Sequence, residues 1–345
     1  MKLVMWTRYG ELGASSRLRF YQFIPFLQEQ GMDVKVHNFF DDDYLRRLYS
    51  GKKRSLSGVL GSFRRRCQEM RRMEKCVPAL IEYELLPHLP YCFEKSFLKE
   101  RKYILNFDDA VHLHYQKIPF LRNKYPRLIA GAAGIIVAND MLAEEFGKYN
   151  ENILKLPTVP PASIVPAAQK PDRMTLVWTG TPVTYQYLES RGDALRLAAK
   201  NLDFELLVVA SESLKPIDGV NCRFIRWSEK NEADALARAH AGLMPLPDTP
   251  FARGKSAYKL ICYLRAGIPG IASPVGENCR VIRHGENGFF FGSDEEFVAV
   301  LTSFFQGDVR EKLSSGALES GRRYALPECA AQLADFIRNS CRSSK

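Results

Sequence analysis

A basic stretch in the second half of the chain has the residue types that bind an anion. Residues 253–267 read RGKSAYKLICYLRAG and carry Arg253, Lys255 and Lys259 around the start of a predicted helix. The dipole of a helix makes a cation at its N-terminus unfavourable by about 0.3–1 kcal/mol. A bound anion reverses that sign, because it gains free backbone N–H groups and ammonium groups together. The stretch therefore indicates an anion site, with solvated surface lysines as the alternative.

The spacing of apolar residues predicts the helix that carries these cations. One apolar face comprises Ala257, Leu260, Ile261 and Leu264. This spacing predicts a helix over 255–266, which Gly267 can end. Three further residues then fall at i, i+4 and i+7 on another face: Lys255, Lys259 and Cys262.

Apolar segments along the whole chain predict the elements that position such a site. Strands are predicted at 2–7, 33–40, 103–107, 134–138, 175–178, 204–210, 241–244 and 270–273. A glycine loop at 9–16 precedes a helix predicted to run from Phe20 to Gly31, with a kink at Pro25. The alternation of strands and helices favours doubly wound parallel sheets, which bind ligands at the carboxyl ends of their strands.

The length and one proline-rich segment predict two domains. A chain of 345 residues exceeds the size at which a single core stops growing. Residues 157–171 hold five prolines in fifteen positions, which indicates a linker between two α/β halves. The cleft between the halves is then the expected ligand site.

One block of sequence resembles a known family. The stretch KLICYLRAGIPGIASPVGENCRVIRHGENGFFF (259–291) resembles the donor-binding signature of glycosyltransferase family 4, nucleotide-sugar enzymes of the GT-B fold. Segments 10–20, 177–182 and 327–338 extend the resemblance over nearly the whole chain. It implies two Rossmann-like domains. These are an acceptor-binding domain at 1–163 and a donor-binding domain at 164–326, with a C-terminal helix at about 327–345 that crosses back to the first domain.

The resemblance implies roles at the matching positions. Lys259 would hold the donor diphosphate, and the turn at Gly180 and Thr181 would approach its phosphates. Residues 276–278 would face the transferred sugar, and the loop at 10–13 would line the cleft from the first domain. The complete predicted donor-binding set is Gly10, Gly13, Gly180, Thr181, Lys255, Lys259, Cys262, Gly276, Glu277 and Asn278.

Two positions depart from the family pattern. Many members carry a pair of glutamates where this chain has Gly254 and Cys262. A thiol cannot accept a bidentate hydrogen bond from ribose hydroxyls as a carboxylate can. The Arg and Lys often found after the second glycine turn are also missing from TGTPVTYQYL. An inactive or regulatory homologue that binds nucleotide sugar therefore stays an alternative, as does a nucleotide-sugar epimerase.

Two adjacent aspartates are candidates for work on the acceptor. Asp108 and Asp109 follow a predicted strand, and Phe107 occupies the place of the usual family histidine. A carboxylate there could orient an acceptor hydroxyl or accept its proton, whereas the structural alternative is a helix or turn cap. The predicted catalytic residues are Asp108, Asp109 and Lys259.

No metal site is predicted. The run Asp41–Asp42–Asp43 lies in a predicted loop, and His112 and His114 would share a strand face without a third ligand nearby. Lysine and backbone N–H groups are instead expected to neutralise the diphosphate, so no metal or other cofactor is expected.

The positive charge is concentrated in the first half of the chain. Residues 1–170 hold 27 basic and 18 acidic residues, a net charge of +9, whereas 171–345 hold 22 and 21, a net charge of +1. Basic and apolar residues alternate at helical spacing over 52–75, which is typical of a helix on an anionic membrane surface. A helix packed on its own domain is the alternative. The predicted membrane or acceptor contacts are Arg64, Arg65, Arg66, Arg71 and Arg72.

The remaining features place the protein in a cell compartment. The eight cysteines form no C-x-x-C pair, and no apolar stretch reaches the length of a signal peptide or membrane span. These features predict a cytoplasmic protein that lies on the inner face of the membrane. A nucleic-acid partner is not expected, because no known nucleic-acid motif accompanies the basic charge.

Together these inferences predict a retaining glycosyltransferase. It would move a sugar from a nucleotide-diphosphate donor to a hydroxyl of a lipid-linked or cell-surface polysaccharide acceptor, as in lipopolysaccharide biosynthesis. Retention of the anomeric configuration is implied by the family resemblance alone.

Overall fold

The computed structural model describes residues 1–49, 55–167 and 169–342. The chain forms two compact units. Unit 1 comprises Met1–Thr158 and the C-terminal segment from Pro327, and unit 2 comprises Val159–Leu326. Each unit contains a six-stranded sheet in which every pair of neighbouring strands is parallel.

The sheet of unit 1 is doubly wound, with the order β2-β1-β3-β4-β5-β6. Its strands are β1 (Lys2–Thr7), β2 (Asp33–Asn38), β3 (Ala79–Glu82), β4 (Tyr103–Phe107), β5 (Gly134–Val137) and β6 (Ile153–Lys155). Every residue of β3, β4 and β5 is buried. Continuous burial is expected of parallel strands whose two faces are both covered by helices.

The helices of unit 1 follow this alternation. They are α1 (Ala14–Arg19), α2 (Ile24–Glu29), α3 (Asp42–Tyr49), α4 (Leu56–Arg72), α5 (Cys92–Leu98), α6 (His112–Gln116), α7 (Lys124–Ala130) and α8 (Asp140–Gly147). The long helix predicted from Phe20 to Gly31 is wrong in detail. A 3₁₀ turn at Tyr21–Phe23 separates α1 from α2, and Pro25 stands in the first turn of α2, where its missing N–H costs no helical bond.

Unit 2 repeats the architecture with the order β12-β11-β10-β7-β8-β9. Its strands are β7 (Met174–Thr179), β8 (Phe204–Ala210), β9 (Cys222–Arg226), β10 (Ala241–Met244), β11 (Gly270–Ala272) and β12 (Gly288–Phe290). Its helices are α9 (Pro182–Glu189), α10 (Gly192–Asn201), α11 (Glu229–Arg238), α12 (Pro250–Arg253), α13 (Tyr258–Arg265), α14 (Asn278–Val281), α15 (Asp294–Phe304) and α16 (Gly307–Arg322).

The last helix, α17 (Leu326–Cys341), belongs to unit 1 from Pro327 onward. The Arg338 guanidinium donates to the carbonyl of Gln30 at 2.9 Å, and Asn152 Nδ2 donates to Ser340 Oγ at 3.0 Å. The expected return of the C-terminal helix to the first half of the chain is therefore confirmed as part of the fold.

Two expectations about polar residues in unit 1 are wrong. Asp42 and Asp43 start α3 instead of lying in a loop, and Asp41 Oδ1 accepts from the backbone N–H of Tyr44 at 3.0 Å. His112 and His114 lie on α6, not on a strand. His112 Nε2 is 2.7 Å from Glu145 Oε2, so this histidine has a structural partner.

Over the described ranges, no helix combines the length and the apolar character that crossing a bilayer requires. The proline-rich segment 157–171 contains neither helix nor strand in its described part.

Candidate functional site

The turn after β7 brings a lysine into close contact with a glycine. The Lys259 ammonium lies 4.5 Å from the ring centroid of Trp178, the residue two before Gly180. A Cβ added to Gly180 would lie 2.8 Å from Lys259 Nζ and 2.6 Å from the Trp178 ring. Glycine at this position therefore makes room for the ammonium at the carboxyl end of the sheet.

Lys259 is half-buried, and this partial burial changes its chemistry. Removal of water from around the ammonium, with a smaller contribution from the charge of Lys255, lowers the pKa of Lys259 to about 7. Both effects favour the neutral amine over the ammonium. A bound anion would favour the charged form again, so the site is electrostatically prepared for a negative ligand.

The helix predicted over 255–266 is shorter than expected. Ala257 has a φ of 50°, in the left-handed region, and α13 starts only at Tyr258. The left-handed residue interrupts the α-helical path, so Lys255 precedes the helix and follows the short helix α12. The predicted i, i+4, i+7 face of Lys255, Lys259 and Cys262 is therefore wrong, although Lys255 is close enough to influence Lys259.

Cys262 lies in the interior of unit 2. The residue is completely buried, and burial raises the pKa of its thiol well above the usual value. Its neighbour Tyr263 packs over Gly242 of β10 and donates from its hydroxyl to the carbonyl of Leu243 at 3.1 Å. The structure thus places Cys262 in the core contact of α13 and not on an exposed face with Lys255.

The loop after β11 packs against the segment that contains Arg253. Gly276 has a φ of 56°, and a Cβ there would lie 2.5 Å from the carbonyl oxygen of Arg253. Glu277 is half-buried and precedes α14. Asn278 is buried, and its Nδ2 donates to the Ser273 carbonyl at 3.0 Å, which gives this side chain a structural role in the loop.

The buried carboxylate of Glu232 lies at the same edge of the sheet and was not predicted from the sequence. Glu232 lies in the first half of α11 and is 7 % exposed. One of its oxygens accepts from Thr179 Oγ1 at 2.7 Å, and the other accepts from Trp227 Nε1 at 3.0 Å. Thr179 is the last residue of β7, so Glu232 connects the start of the Gly180 turn to Trp227. No local sequence signal marks this contact.

In unit 1 the glycine loop closes onto α3. The N–H of Gly13 donates to the Gly10 carbonyl at 3.1 Å, and the N–H of Leu12 donates to Asp42 Oδ1 at 3.3 Å. A Cβ on Gly10 would collide with that carboxylate. Glycine at position 10 therefore leaves room for the Asp42 carboxylate to contact the loop.

Asp108 lies at the carboxyl end of β4 within a chain of hydrogen bonds. The Tyr83 hydroxyl donates to Asp108, and it also lies 3.3 Å from Ser15 Oγ, which donates to Glu82 at 2.8 Å. Burial is the main cause of the raised pKa values of Tyr83 and Glu82. Both Asp108 and Asp109 are half-buried, and neither is the residue that caps α6, whose cap is Val111.

Unit 1 also contains a buried ionic cluster of Lys124, Glu84 and Glu94, which was not predicted from the sequence. The Lys124 ammonium contacts Glu84 at 2.6 Å and Glu94 at 2.7 Å, and it donates to the carbonyl of Leu86 at 2.7 Å. The side chains of Lys124, Glu84 and Glu94 are completely buried. Glu84 also accepts from Arg8 at 2.7 Å. The cluster holds the segment after β3 in place by contacts between distant parts of the chain.

A second buried cation ties together the carboxyl end of the sheet in unit 1. Arg19 is 1 % exposed, and burial lowers the pKa of its guanidinium. The guanidinium donates twice to Asn106 Oδ1, at 2.9 and 2.7 Å, and once to the Leu156 carbonyl at 2.6 Å. Arg19 therefore fixes α1, and with it the glycine loop, to β4.

The basic run at 52–75 contains the helix α4 (Leu56–Arg72) in its described part, and the arginines of this helix divide into two groups. Arg66 is 1 % exposed, stacks 4.9 Å from the Trp6 ring centroid and donates to the Thr7 carbonyl at 2.8 Å. Its prediction as a membrane contact is wrong, because the guanidinium anchors α4 to the end of β1. Arg65 is half-buried and donates to the Phe39 carbonyl at 2.8 Å.

The other basic residues of this run point outward or are not described. Arg64, Arg71 and Arg72 are exposed. Lys52, Lys53 and Arg54 lie outside the described residues. Across the part of the chain that is described, no three or more His, Cys, Asp or Glu side chains are grouped as metal ligands.

Solved structures share this fold over the full length of the chain. A glycosyltransferase from Rickettsia africae aligns with a TM-score of 0.71 at 11 % identity, over 99 % of each chain. HepE from Anabaena, in complex with UDP, aligns with a TM-score of 0.70 at 12 % identity, over 98 % of this chain and 100 % of its own. The lipopolysaccharide outer core galactosyltransferase WaaB aligns with a TM-score of 0.63 at 12 % identity, over 98 % and 99 %.

These similarities establish the class of fold. The two parallel six-stranded sheets with alternating helices form the GT-B architecture of glycosyltransferases. No protein-family model and no curated protein sequence matches the chain. The narrower resemblance to glycosyltransferase family 4 stays a prediction.

Proposed function

We propose that the protein is a glycosyltransferase that uses a nucleotide-diphosphate sugar as donor. The observation that carries the proposal is the Lys259 ammonium at the Gly180 turn, on the carboxyl edge of a sheet whose fold is shared with glycosyltransferases. Close backbone approach at a glycine and a cation at the same place are what a diphosphate requires. UDP is the first nucleotide to test, because HepE was solved with it.

In this proposal Lys259 stabilises the charge that develops on the departing diphosphate. Fixed charges aimed at a developing charge are usually the largest catalytic contribution. Lys255 adds a second positive charge nearby. Asp108, held by the Tyr83 hydroxyl, orients the acceptor hydroxyl or takes its proton. The transfer proceeds with retention of configuration, to a hydroxyl of a lipid-linked or cell-surface polysaccharide.

The pH dependence of nucleotide binding tests the proposal. Because the bound diphosphate favours protonated Lys259, binding takes up a proton above the free pKa of about 7. We expect the affinity for UDP, GDP, dTDP, CDP or ADP to fall as the pH rises from 7 to 9, by up to about tenfold per pH unit. Isothermal titration in buffers of different ionisation enthalpy measures both the affinity and the proton uptake.

The Lys259→Arg variant provides the matched control, because a guanidinium stays charged over this range. Its affinity should be nearly constant between pH 7 and 9. Equal pH slopes in the wild type and this variant would refute the assignment of Lys259. Nucleotide binding without any release of nucleotide from a sugar donor would favour the inactive homologue.

The exposed face of α4 supports a membrane surface as the second partner. Leu56 is 80 % exposed and Leu60 is 67 % exposed, and the two lie one turn apart on the same side of the helix. Arg64 extends this exposed face, and Arg71 and Arg72 follow at the end of the helix. Apolar side chains beside exposed arginines match the boundary between acyl chains and anionic headgroups. This placement would bring the enzyme to a lipid-linked acceptor.

We expect the double variant Leu56→Ser, Leu60→Ser to bind anionic vesicles at least tenfold more weakly than the wild type. Each leucine removed from the interface forfeits about 1.5–3 kcal/mol of transfer free energy. Flotation with vesicles rich in phosphatidylglycerol measures the binding. Leu197→Ser is the control, because Leu197 is 50 % exposed on α10 of unit 2. Equal flotation of the double variant and the wild type would exclude α4 as the membrane contact.

A further inference from the structure

We infer that Trp227 is a stacking platform for the base of the bound nucleotide and that Glu232 positions it. The inference rests on the proposed function, because it concerns the same ligand. It adds a second contact region, directly after β9, whereas the Gly180 turn follows β7.

The position of Trp227 on the sheet suits such a role. Trp227 directly follows β9, and its backbone N–H donates to the carbonyl of Ala210, the last residue of β8, at 2.7 Å. The indole therefore lies at the same carboxyl edge as the Gly180 turn, with β8 between β7 and β9. Neighbouring strands are about 4.8 Å apart, so the ends of β7 and β9 are separated by about 10 Å. The ribose and the phosphates of a nucleoside diphosphate bridge a distance of this size.

The indole is held by its polar edge. Trp227 Nε1 donates to Glu232 Oε2 at 3.0 Å, while Glu232 Oε1 accepts from Thr179 Oγ1 at 2.7 Å. Because Glu232 is buried in α11, this bond is shielded from water and restrains rotation of the ring. One carboxylate thus links the orientation of Trp227 to the end of β7, directly before the Gly180 turn.

The exposure of Trp227 distinguishes it from the other tryptophans. The chain has three, and Trp6 and Trp178 are 0 % and 1 % exposed, whereas Trp227 is 36 % exposed. A nucleic-acid base stacks favourably on an exposed indole, and such stacking tolerates any base because every base has a π face. Trp227 therefore adds affinity for the nucleoside part and leaves the choice of base to other contacts.

Fluorescence quenching by acrylamide tests the contact directly, because Trp227 is the exposed indole. We expect the tightest-binding nucleotide among UDP, GDP, dTDP, CDP and ADP to reduce the acrylamide quenching of Trp227, because the stacked base covers the indole. Pyrophosphate, which has no base, should leave the acrylamide quenching of Trp227 unchanged. In Trp227→Phe the quenchable component should be absent, which assigns the signal. Equal protection by pyrophosphate and nucleotide, or no protection by either, would overturn the inference.

Affinity measurements with the same two ligands separate the base from the phosphates. Trp227→Ala should weaken nucleotide binding about tenfold and change pyrophosphate binding less than about twofold, and Trp227→Phe should retain most of the affinity. Glu232→Gln, which keeps the side-chain volume, should lower the ratio of nucleotide to pyrophosphate affinity. It should also increase the acrylamide quenching of Trp227, and an unchanged melting temperature would show that general destabilisation is not the cause.

The results distinguish failure of this inference from failure of the proposed function. If neither nucleotide nor pyrophosphate binds the wild type, the proposed donor site is wrong and the inference falls with it. If both bind and Trp227→Ala leaves their affinity ratio unchanged, the inference is wrong and the proposed function stands.

Discussion

The Lys259→Ala variant should bind nucleoside diphosphate about 10–100-fold more weakly than the wild type at pH 7. The Lys259 ammonium lies next to Gly180, because a Cβ added there would be 2.8 Å from it. We therefore expect it to contact a phosphate bound at that turn. A hydrogen bond to a charged group contributes about 1.5–3 kcal/mol, which corresponds to this range of affinities. Thermal shift and calorimetry with the five nucleoside diphosphates measure the change.

Two control variants make the result specific. Lys255→Ala removes a cation that precedes α13, and we expect a loss of less than about fivefold because this residue lies outside the turn. Gly180→Ala keeps both lysines but places a methyl group against Lys259 and Trp178, and it should also weaken binding. Equal, small losses for Lys259→Ala and Lys255→Ala would show that the turn after β7 does not hold the phosphates.

The Lys124→Ala variant should lose about 3–5 kcal/mol of the free energy of unfolding of unit 1. Removal of the ammonium leaves Glu84 and Glu94 without the cation that contacts both, and all three side chains are completely buried. An unpaired buried charge is penalised far more than the intact cluster gains. Urea denaturation measures this loss. The wild-type and Lys124→Ala proteins should both carry Trp178→Phe and Trp227→Phe, so that the fluorescence of Trp6 reports on unit 1 alone.

An exposed ion pair of the same unit supplies the comparison. Lys2 lies 3.6 Å from Glu74, and both side chains are more than 60 % exposed. Lys2→Ala should therefore cost less than about 1 kcal/mol. Adding Glu94→Gln to Lys124→Ala should recover part of the loss, because it removes the carboxylate that loses its cation, whereas Glu84 keeps its contact with Arg8. A loss below 1 kcal/mol for Lys124→Ala would mean that the ionic cluster contributes little to the free energy of unfolding of unit 1.

Eight of the twelve strands in the described residues were predicted from the sequence, whereas β3, β6, β9 and β12 were not. Segments such as 103–107 and 204–210 are continuously apolar, and the structure has β4 and β8 at those residues. Parallel strands covered on both faces carry this pattern within a few consecutive residues, so no information from distant parts of the chain is needed. The GT-B fold followed from this alternation together with the resemblance of residues 259–291.

The helices were predicted less accurately where single backbone angles decide their ends. The apolar spacing around Leu260 and Leu264 is the same whether the helix begins at 255 or at 258. Ala257 adopts a left-handed conformation, and this takes Lys255 out of the helix. Alanine carries no sequence signal for that angle, because glycine is the residue usually found there.

Only the tertiary structure decided which charged groups are buried and what they contact. Arg66 stands among other arginines of α4 in the sequence, yet it packs on Trp6, because the inner face of an amphipathic helix depends on what covers it. Glu232 and Thr179 are 53 residues apart, and Lys124 and Leu86 are 38 apart. Such contacts leave no periodic trace in the chain. The sequence therefore determined the architecture and pointed to Lys259, whereas the polar network that positions the candidate site formed only when distant segments packed together.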